Sequence, residues 1–298
     1  MRAYVIGNVT IDETIAVAAL PEAGASILGT GQSRDLGGKG ANQAVVMARC
    51  GLPTTLIAAI GEGVRAELIR RELADEPVTS HLVPIAGKGS DFSIVLTTPD
   101  GENVNITITD SAQGMRVGDV IPQLSGAAAG DLAVLQGNLT DEVTRGVLEA
   151  ARARRMTTAF NPSPLRPFFA SLWPLIDIAF LNEGEAFALT GTRGEEAARK
   201  LLGSGASQVV LTLGAKGAML ADAKGITSIP AVPSTAVDTT GAGDTFTAVA
   251  LASAALRSTR MDQRALEHAA RAASISVSRR GTRSAFPTER ELAAILSA

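Results

Sequence analysis

The sequence predicts an α/β fold: a doubly wound, mostly parallel sheet flanked by helices, with a small β-sheet standing off it as a lid. Three observations carry the prediction. From Asp131 onward, short apolar runs alternate with helix-period segments, the pattern of right-handed βαβ crossovers. Each run ends in polar or glycine punctuation, as in Gln136-Gly137-Asn138, Asn161-Pro162-Ser163-Pro164, Asn182-Glu183-Gly184-Glu185 and Thr212-Leu213-Gly214. Two glycine-rich turns, one towards each end of the chain, each open a helix. Ligands collect at the carboxyl ends of the strands in an open α/β sheet, so a site belongs at those points.

Taken in order, residues 3–6 form a short buried strand ending at Gly7-Asn8. Residues 15–20 and 25–31, split by Pro21-Glu22, make a small hairpin outside the main sheet. The first glycine turn, at 37–40, opens a helix that closes at a Gly51 C-cap. Residues 54–60 are a strand and 64–74 an amphipathic helix. Residues 91–98 and 103–109, rich in β-branched side chains, flank Pro99-Asp100-Gly101-Glu102, a hairpin signal. The two hairpins together give a lid formed by roughly 13–35 and 88–110. Strands follow at 132–136, 157–160, 176–181 and 208–213, with helices at 142–154 and 195–202. Short strands at 217–221 and 226–229 lead to the second glycine turn and an alanine-rich helix. A long helix at 262–278 and a short terminal one complete the chain. No repeat, low-complexity tract or linker interrupts residues 1–298, which read as a single domain.

Composition narrows the function. Hydrophobic residues make up 46% and charged residues 19%, enough apolar material for a large core. A net charge of −3 leaves no basic footprint for nucleic acid, and 3% aromatics leave little to stack on bases. Cys50 is the one cysteine and cannot form an internal disulfide, which fits a reducing compartment. With His81 and His268 the only histidines, no zinc ligand set can be assembled, although carboxylates could hold Mg²⁺. No uninterrupted apolar stretch reaches the roughly 20 residues that span a bilayer, and the N-terminus reads as a strand. The expected location is the cytoplasm, with no nucleic acid or membrane as partner.

The second turn, Asp238-Thr239-Thr240-Gly241-Ala242-Gly243-Asp244-Thr245-Phe246, has the makings of an anion pocket. Gly241 and Gly243 can take backbone angles closed to other residues, so successive N–H groups can converge on one point. The following helix adds the positive end of its dipole. Asp244 falls in the first helical turn, where it is suited to accept a proton. An anion hole beside a carboxylate base is the minimum equipment for moving a phosphoryl group onto a hydroxyl. The first turn supplies a cation, Lys39, and an amide, Asn42, on a helix start, without the spacing of a Walker A loop. Asp12, just past the first strand, reads either as a surface carboxylate or as a hook for a hydroxylated ligand.

Gly37-Gly38-Lys39-Gly40-Ala41-Asn42-Gln43-Ala44 together with the 238–246 turn resembles the paired signatures of the ribokinase-like (PfkB) carbohydrate kinases. Lesser matches fall in order at Asn161-Pro162, Asn182-Glu183-Gly184-Glu185, Thr212-Leu213-Gly214 and Ser278-Arg279-Arg280-Gly281, so the resemblance covers nearly the whole chain. It implies ATP-dependent transfer of a phosphoryl group to a primary hydroxyl of a furanose-like sugar such as ribose. Asp244 would be the base, with Gly241, Ala242 and Gly243 as the anion hole. Asp12, Gly38, Lys39 and Asn42 would hold the sugar, with Thr10 and Asn138 at neighbouring substrate positions. Asn182, Thr212, Gly214 and Gly217 would line the ATP site, with Glu185 near Mg²⁺. A monovalent cation, K⁺, would lie at Asp238 and the carbonyls of Thr240, Ser276, Arg279 and Gly281.

Three positions depart from the ribokinase-like pattern. Thr10 replaces an Asn two residues before the substrate aspartate, Asn138 replaces a substrate-binding Glu, and Ala285 falls where a cation-binding Ser is expected, beside Ser284. The first two alter the hydrogen bonds by which a polyol site discriminates. The main alternative is a nucleoside kinase with the same base and anion hole, which an aromatic residue stacked on the base would favour. A sugar-phosphate kinase needs a cation cluster around Lys39, to which only Arg34 is a candidate. A silent sugar- or nucleotide-binding regulator would keep the pockets without the chemistry. Apolar Ile94, Leu96, Ile106 and Ile108 would suit either a homodimer through the lid or a cover over the bound sugar.

Overall fold

Aliphatic runs buried on both faces form the middle of a nine-stranded sheet in the computed structural model, which describes residues 1–99 and 103–298. In chain order the elements are β1 (Ala3–Gly7), β2 (Thr10–Val17), β3 (Gly29–Gly37), α1 (Lys39–Arg49), β4 (Thr54–Glu62), α2 (Val64–Ala74), β5 (Thr79–Gly89), β6 (Phe92–Thr97) and β7 (Asn103–Ile108). The single-turn α3 (Val117–Val120), β8 (Leu132–Gln136), α4 (Asp141–Ala153), β9 (Thr157–Asn161), β10 (Ile178–Asn182), α5 (Glu183–Thr190), α6 (Gly194–Gly203) and β11 (Gln208–Thr212) follow. β12 (Ala218–Asp222), β13 (Gly225–Ile229), α7 (Ala242–Leu256), α8 (Gln263–Val277) and α9 (Glu289–Leu296) complete the set. The large sheet has the order β13-β12-β11-β10-β9-β8-β1-β4-β5 and is parallel from β5 through β11, turning antiparallel at β12 and β13.

The sheet separates two cores. Successive residues of β1 point to opposite faces, Ala3 and Val5 into one core, Tyr4 and Ile6 into the other. On the first face α7 lies buried along almost its whole length, packed on α1 and α8. Its alanines carry little bulk, so neighbouring helices approach closely. On the second face Phe160 and Phe169 meet edge-to-face at 5.0 Å among the residues of α4 and α6. No helix among the described residues is long and apolar enough to cross a membrane.

The second sheet has the order β3-β2-β6-β7. Its first hairpin runs Thr10–Val17 against Gly29–Gly37, displaced from the expected 15–20 and 25–31. The displacement has a plain cause: the first six residues of β3, Gly29-Thr30-Gly31-Gln32-Ser33-Arg34, are exposed and without an apolar side chain, so apolar patterning does not mark the strand. Positions 100–102 of the expected 99–102 turn lie outside the described residues, but β6 and β7 pair antiparallel on either side. β5 goes unnoticed in the sequence because it is an edge strand, mostly exposed and interrupted by Pro84. Asn182-Glu183-Gly184-Glu185 is more than strand-end punctuation, since it starts α5 with a reciprocal capping box.

Arg65 of α2 joins the two sheets. Its guanidinium lies 3.9 Å from the centre of the Phe92 ring at the start of β6 and donates to Glu13 of β2 at 3.2 Å. Asp91 ties the entrance of β6 to the chain leaving β7: its Oδ1 accepts from the Ser111 N–H at 2.8 Å and hydroxyl at 2.7 Å. Burial pushes the Asp91 carboxyl up to about 6 from 3.8, against the pull of the Ser111 hydrogen bonds. The folded state therefore binds a proton more tightly than the unfolded one, and this residue's contribution to stability falls as pH rises between 3.8 and about 6. Asp91→Asn is expected to flatten the pH dependence of the urea midpoint across that window; an unchanged slope would contradict the assignment.

Candidate active site

The site forms where β1 and β8 end and where α1 and α7 begin. Gly38 has φ 90°, and a Cβ there would lie 2.9 Å from both the Asn8 carbonyl oxygen and the Thr10 nitrogen. A Cβ on Gly40 would meet the Asn8 oxygen at 2.7 Å and nitrogen at 2.8 Å. The glycines thus let the first turn of α1 settle onto the β1–β2 connection, where the Ala41 N–H donates to the Asn8 carbonyl at 3.0 Å. At α7 the turn is made by Gly241 in the left-handed region, φ 74°, packed against the Phe286 ring. The N–H groups of Gly243 and Asp244 belong to the first turn and have no acceptor within the helix.

Asp244 is 5% exposed. Asn42 Nδ2 donates to its Oδ2 at 2.9 Å, and Gln43 Nε2 donates to its Oδ1 at 2.9 Å. Behind them, Gln136 Nε2 donates to Gln43 Oε1 at 2.8 Å. Asn42, expected on the sugar, therefore also holds the carboxylate.

Asp12 lies on β2 between Asp35 of β3 and Ser93 of β6. Its Oδ1 accepts from the Thr10 hydroxyl at 2.7 Å and its Oδ2 from the Thr282 hydroxyl at 3.4 Å. Burial raises its carboxyl above the usual range, opposed by the Thr10, Ser93 and Thr282 hydroxyls and aided by the Asp35 charge. Thr10 thus serves Asp12 and does not itself line the cleft. That cleft, of about 640 Å³, brings together Asp12, Gly38, Lys39, Asn42, Asn138, Thr240, Gly241 and Asp244 among its walls. Residues given no individual role in the sequence reading complete it: Ser93, Asn105 and Thr107 from the second sheet, Thr109 just past β7, Asn8 and Ser163-Pro164 from the strand-end punctuation, and Arg166 beyond β9. The alternation Val104-Asn105-Ile106-Thr107-Ile108-Thr109 carries that signal, since its polar members face the cleft. Val104, Ile106 and Ile108 are exposed on the opposite face, so Ile106 and Ile108 do not cover the cleft.

The remaining expected residues form two further groups. Asn182, Glu185, Thr212, Gly214 and Gly217 gather at the ends of β10 and β11, outside the cleft walls. Asn182 Oδ1 accepts from the Glu185 N–H at 2.7 Å and Glu185 Oε2 from the Asn182 N–H at 2.9 Å, so both side chains cap α5. Gly217, φ 100°, abuts the Ile229 carbonyl too closely for any Cβ. The second group centres on Asp238, whose Oδ1 accepts from the Thr240 N–H at 2.9 Å and Oδ2 from the Gly281 N–H at 3.1 Å. Ser276 is engaged elsewhere: its hydroxyl meets Thr245 at 3.0 Å, and its carbonyl accepts from the Arg279 N–H at 3.1 Å. The Arg279 side chain turns away to Glu291. Ala285 is fully buried, and the neighbouring Ser284 hydroxyl donates to Asp35 at 2.8 Å.

A buried carboxylate at a helix start, a glycine turn with free N–H groups and a polar cleft define a phosphotransferase that acts on an alcohol group. The chain belongs to the pfkB family of carbohydrate kinases, whose model matches residues 3–289. It is 29% identical to a ribokinase of Haemophilus influenzae, covering 96% of this chain and 95% of that one. It is 28% identical to a ribokinase of Bacillus subtilis, covering 98% of each. Among solved structures, a ribokinase of Thermotoga maritima superposes with a TM-score of 0.90 at 25% identity over the whole of both chains. A ribokinase of Arabidopsis thaliana, complexed with ribose and ATP, superposes with a TM-score of 0.85 at 26% identity, covering 100% of this chain and 99% of that one.

Because a Cβ on Gly40 meets backbone rather than a movable side chain, Gly40→Ala must lift α1 from the β1–β2 connection. The displacement carries Lys39 and Asn42 with it. A fall of about 100-fold in kcat/KM is expected, read by steady-state phosphotransfer assays.

Proposed function

We propose that this protein transfers the γ-phosphoryl group of ATP to the primary hydroxyl of a furanose-like sugar such as ribose. The observation that carries the reading is Asp244, buried at the floor of the cleft, in the first turn of α7 and beside the Gly241 turn. Both of its oxygens accept amide N–H bonds, which hold the carboxylate while a lone pair takes the proton of the acceptor hydroxyl. The N–H groups of Gly243 and Asp244, unpaired within the first turn of α7, would meet the negative charge that grows on the transferring group, whereas the Ala242 N–H is taken by the Thr239 carbonyl at 3.3 Å. Asp12, Lys39, Asn42 and Asn138 offer the acceptors and donors that a polyol needs. No aromatic side chain lines the cleft among the described residues, which favours a sugar over a nucleoside. The second sheet, with Asn105, Thr107 and Thr109 over the opening, acts as the lid.

The ATP base and ribose are assigned to the ends of β10 and β11, at Asn182, Thr212, Gly214 and Gly217. Glu185 fits a hydrated Mg²⁺, because its Oε1 makes no hydrogen bond among the described residues while Oε2 is fixed. Mg²⁺, when bound, neutralises phosphate charge. For a monovalent cation the fit is partial. Asp238 draws the Thr240 and Gly281 backbone together, whereas Ser276 is spoken for and Ser284 is committed to Asp35. Stimulation by K⁺ is therefore assigned to Asp238 and its two neighbouring turns. A cytoplasmic location fits the free, buried Cys50, and the exposed Val104, Ile106 and Ile108 fit a homodimer through the lid.

The test is an ADP-release assay with ATP and Mg²⁺ over pentoses, hexoses, sugar acids and nucleosides, with and without K⁺. Sugar acids belong on the panel because Arg166 adds a second cation to Lys39 in the cleft. A hit confined to nucleosides would overturn the sugar reading, and a K⁺ response that survives Asp238→Ala would overturn the cation assignment. Asp244→Asn is expected to lower kcat by about 10²–10⁴-fold with the fold retained by circular dichroism; near-normal turnover would remove Asp244 as the base.

A further inference from the structure

Two buried glutamines stand behind Asp244: Gln43 meets its carboxylate directly, and Gln136 has no part in the chemistry described so far. Gln43, on α1, and Gln136, the last residue of β8, have no solvent exposure. Gln136 Nε2 donates to Gln43 Oε1 over 2.8 Å, and Gln43 Nε2 donates to Asp244 Oδ1 over 2.9 Å. Chemistry fixes the sense of this chain. An ionised carboxylate only accepts, so Gln43 must turn its nitrogen towards Asp244. Its oxygen then faces Gln136, which must present nitrogen in turn. Gln136 Oε1 has no hydrogen-bond partner among the described residues, and it lies 2.0 Å from where a Cβ of Gly7 would stand. A glycine on β1 is thus what leaves this amide its room, and the amide makes its one bond through nitrogen.

We propose that Gln43 and Gln136 are positioning residues for the base. Gln136 locks the Gln43 amide, and Gln43 with Asn42 holds the Asp244 carboxylate in the one orientation that meets the acceptor hydroxyl. Gln136 acts only through Gln43, with no contact of its own to Asp244. The inference rests on the reading of Asp244 as the base.

The experiment compares kcat and KM for Gln43→Met, Gln136→Glu, the double variant and Asp244→Asn. The substrates are ATP with Mg²⁺ and D-ribose, or whichever acceptor of the panel has the highest kcat/KM. Gln43→Met keeps the length of the side chain and removes the donor. Gln136→Glu keeps the shape and reverses the relay: a carboxylate there draws the Gln43 nitrogen away and leaves the Gln43 oxygen facing Asp244. Each single variant is expected to lose about 10- to 100-fold in kcat with little change in either KM. The double variant is expected to be no slower than Gln43→Met alone, since the relay is already cut. Packing damage without a relay would give losses that multiply, or a raised KM at normal kcat, and either result overturns the proposal. If Gln136→Glu does not fold, Gln136→Met frees the Gln43 amide to turn. It is expected to cost several-fold alone and nothing further in the Gln43→Met background, and multiplied losses again overturn the proposal. Losses that multiply beside an inactive Asp244→Asn remove the relay and leave the base, whereas a fully active Asp244→Asn removes the base itself.

Discussion

A carboxylate taken out of water has to be met by donors, and Asp244 is met by two amides that belong to a different helix. That one requirement organises the molecule. The amides come from α1, so the first turns of α1 and α7 must lie side by side although some two hundred residues separate them in sequence. Closeness of that kind is possible because α7 presents alanine to its neighbours and because Gly38 and Gly40 let α1 sink onto the end of β1. The two glycine motifs are therefore two halves of a single packing condition. The positive end of α7 adds a field that favours negative charge at the same spot.

The second sheet answers to the same centre from above. β2 leaves the large sheet almost at once after β1, which delivers Asp12 beside the glycine turn. β6 and β7 then set Ser93, Asn105 and Thr107 over the opening, and the Ser93 and Thr107 hydroxyls meet at 3.1 Å. Period-two alternation sends hydroxyl and amide groups to one face and Val104, Ile106 and Ile108 to the other. Arg65 sits at the root of this sheet, with its guanidinium against the Phe92 ring and paired with Glu13. Arg65 is thus one tie between α2 and this sheet, beside those of Asp91 to Ser111 and of Asp35 to Thr282 and Ser284.

Much of this was legible in the residues, and the failures are instructive. Buried parallel strands announce themselves as apolar runs, so β1, β8, β9 and β11 stand within a residue of where periodicity places them. Exposed edge strands do not, and β3 and β5 were respectively misplaced and unseen because neither has an apolar face to advertise. Asn182 and Glu185 read as strand-end punctuation in the sequence, although an Asn with a Glu three residues on is also the pattern of the capping box that they form. The glycine turns disclosed Asp244, Lys39 and Asn42, since their chemistry is local. Gln43 and Gln136 were in plain view in the same motifs, yet their meaning is a contact across 93 residues of sequence, which no window along the chain contains. Arg166 escaped for a similar reason, arriving in the cleft from a loop that carries no catalytic pattern of its own.

The C-terminal turn is clamped to the early part of the chain by charge and hydrogen bonds. Arg283 reaches Glu72 and Glu76 of the α2 region, Arg49 shares Glu76, and the N–H groups of Thr282 and Ser284 both donate to Asp35. Synthesis on the ribosome runs in the opposite sense. Lys39, Asn42 and the glutamine behind them emerge first, and the carboxylate they serve emerges only after almost the entire large sheet has been made. Phe286, which packs against Gly241, comes later still. Such long-range closure makes the final step of folding slow relative to the local ones. A chain stopped before Asp244 would contain every strand of the large sheet and lack the proposed base. The proposed transfer is in this way withheld until the chain has been made at least as far as Asp244 and Phe286.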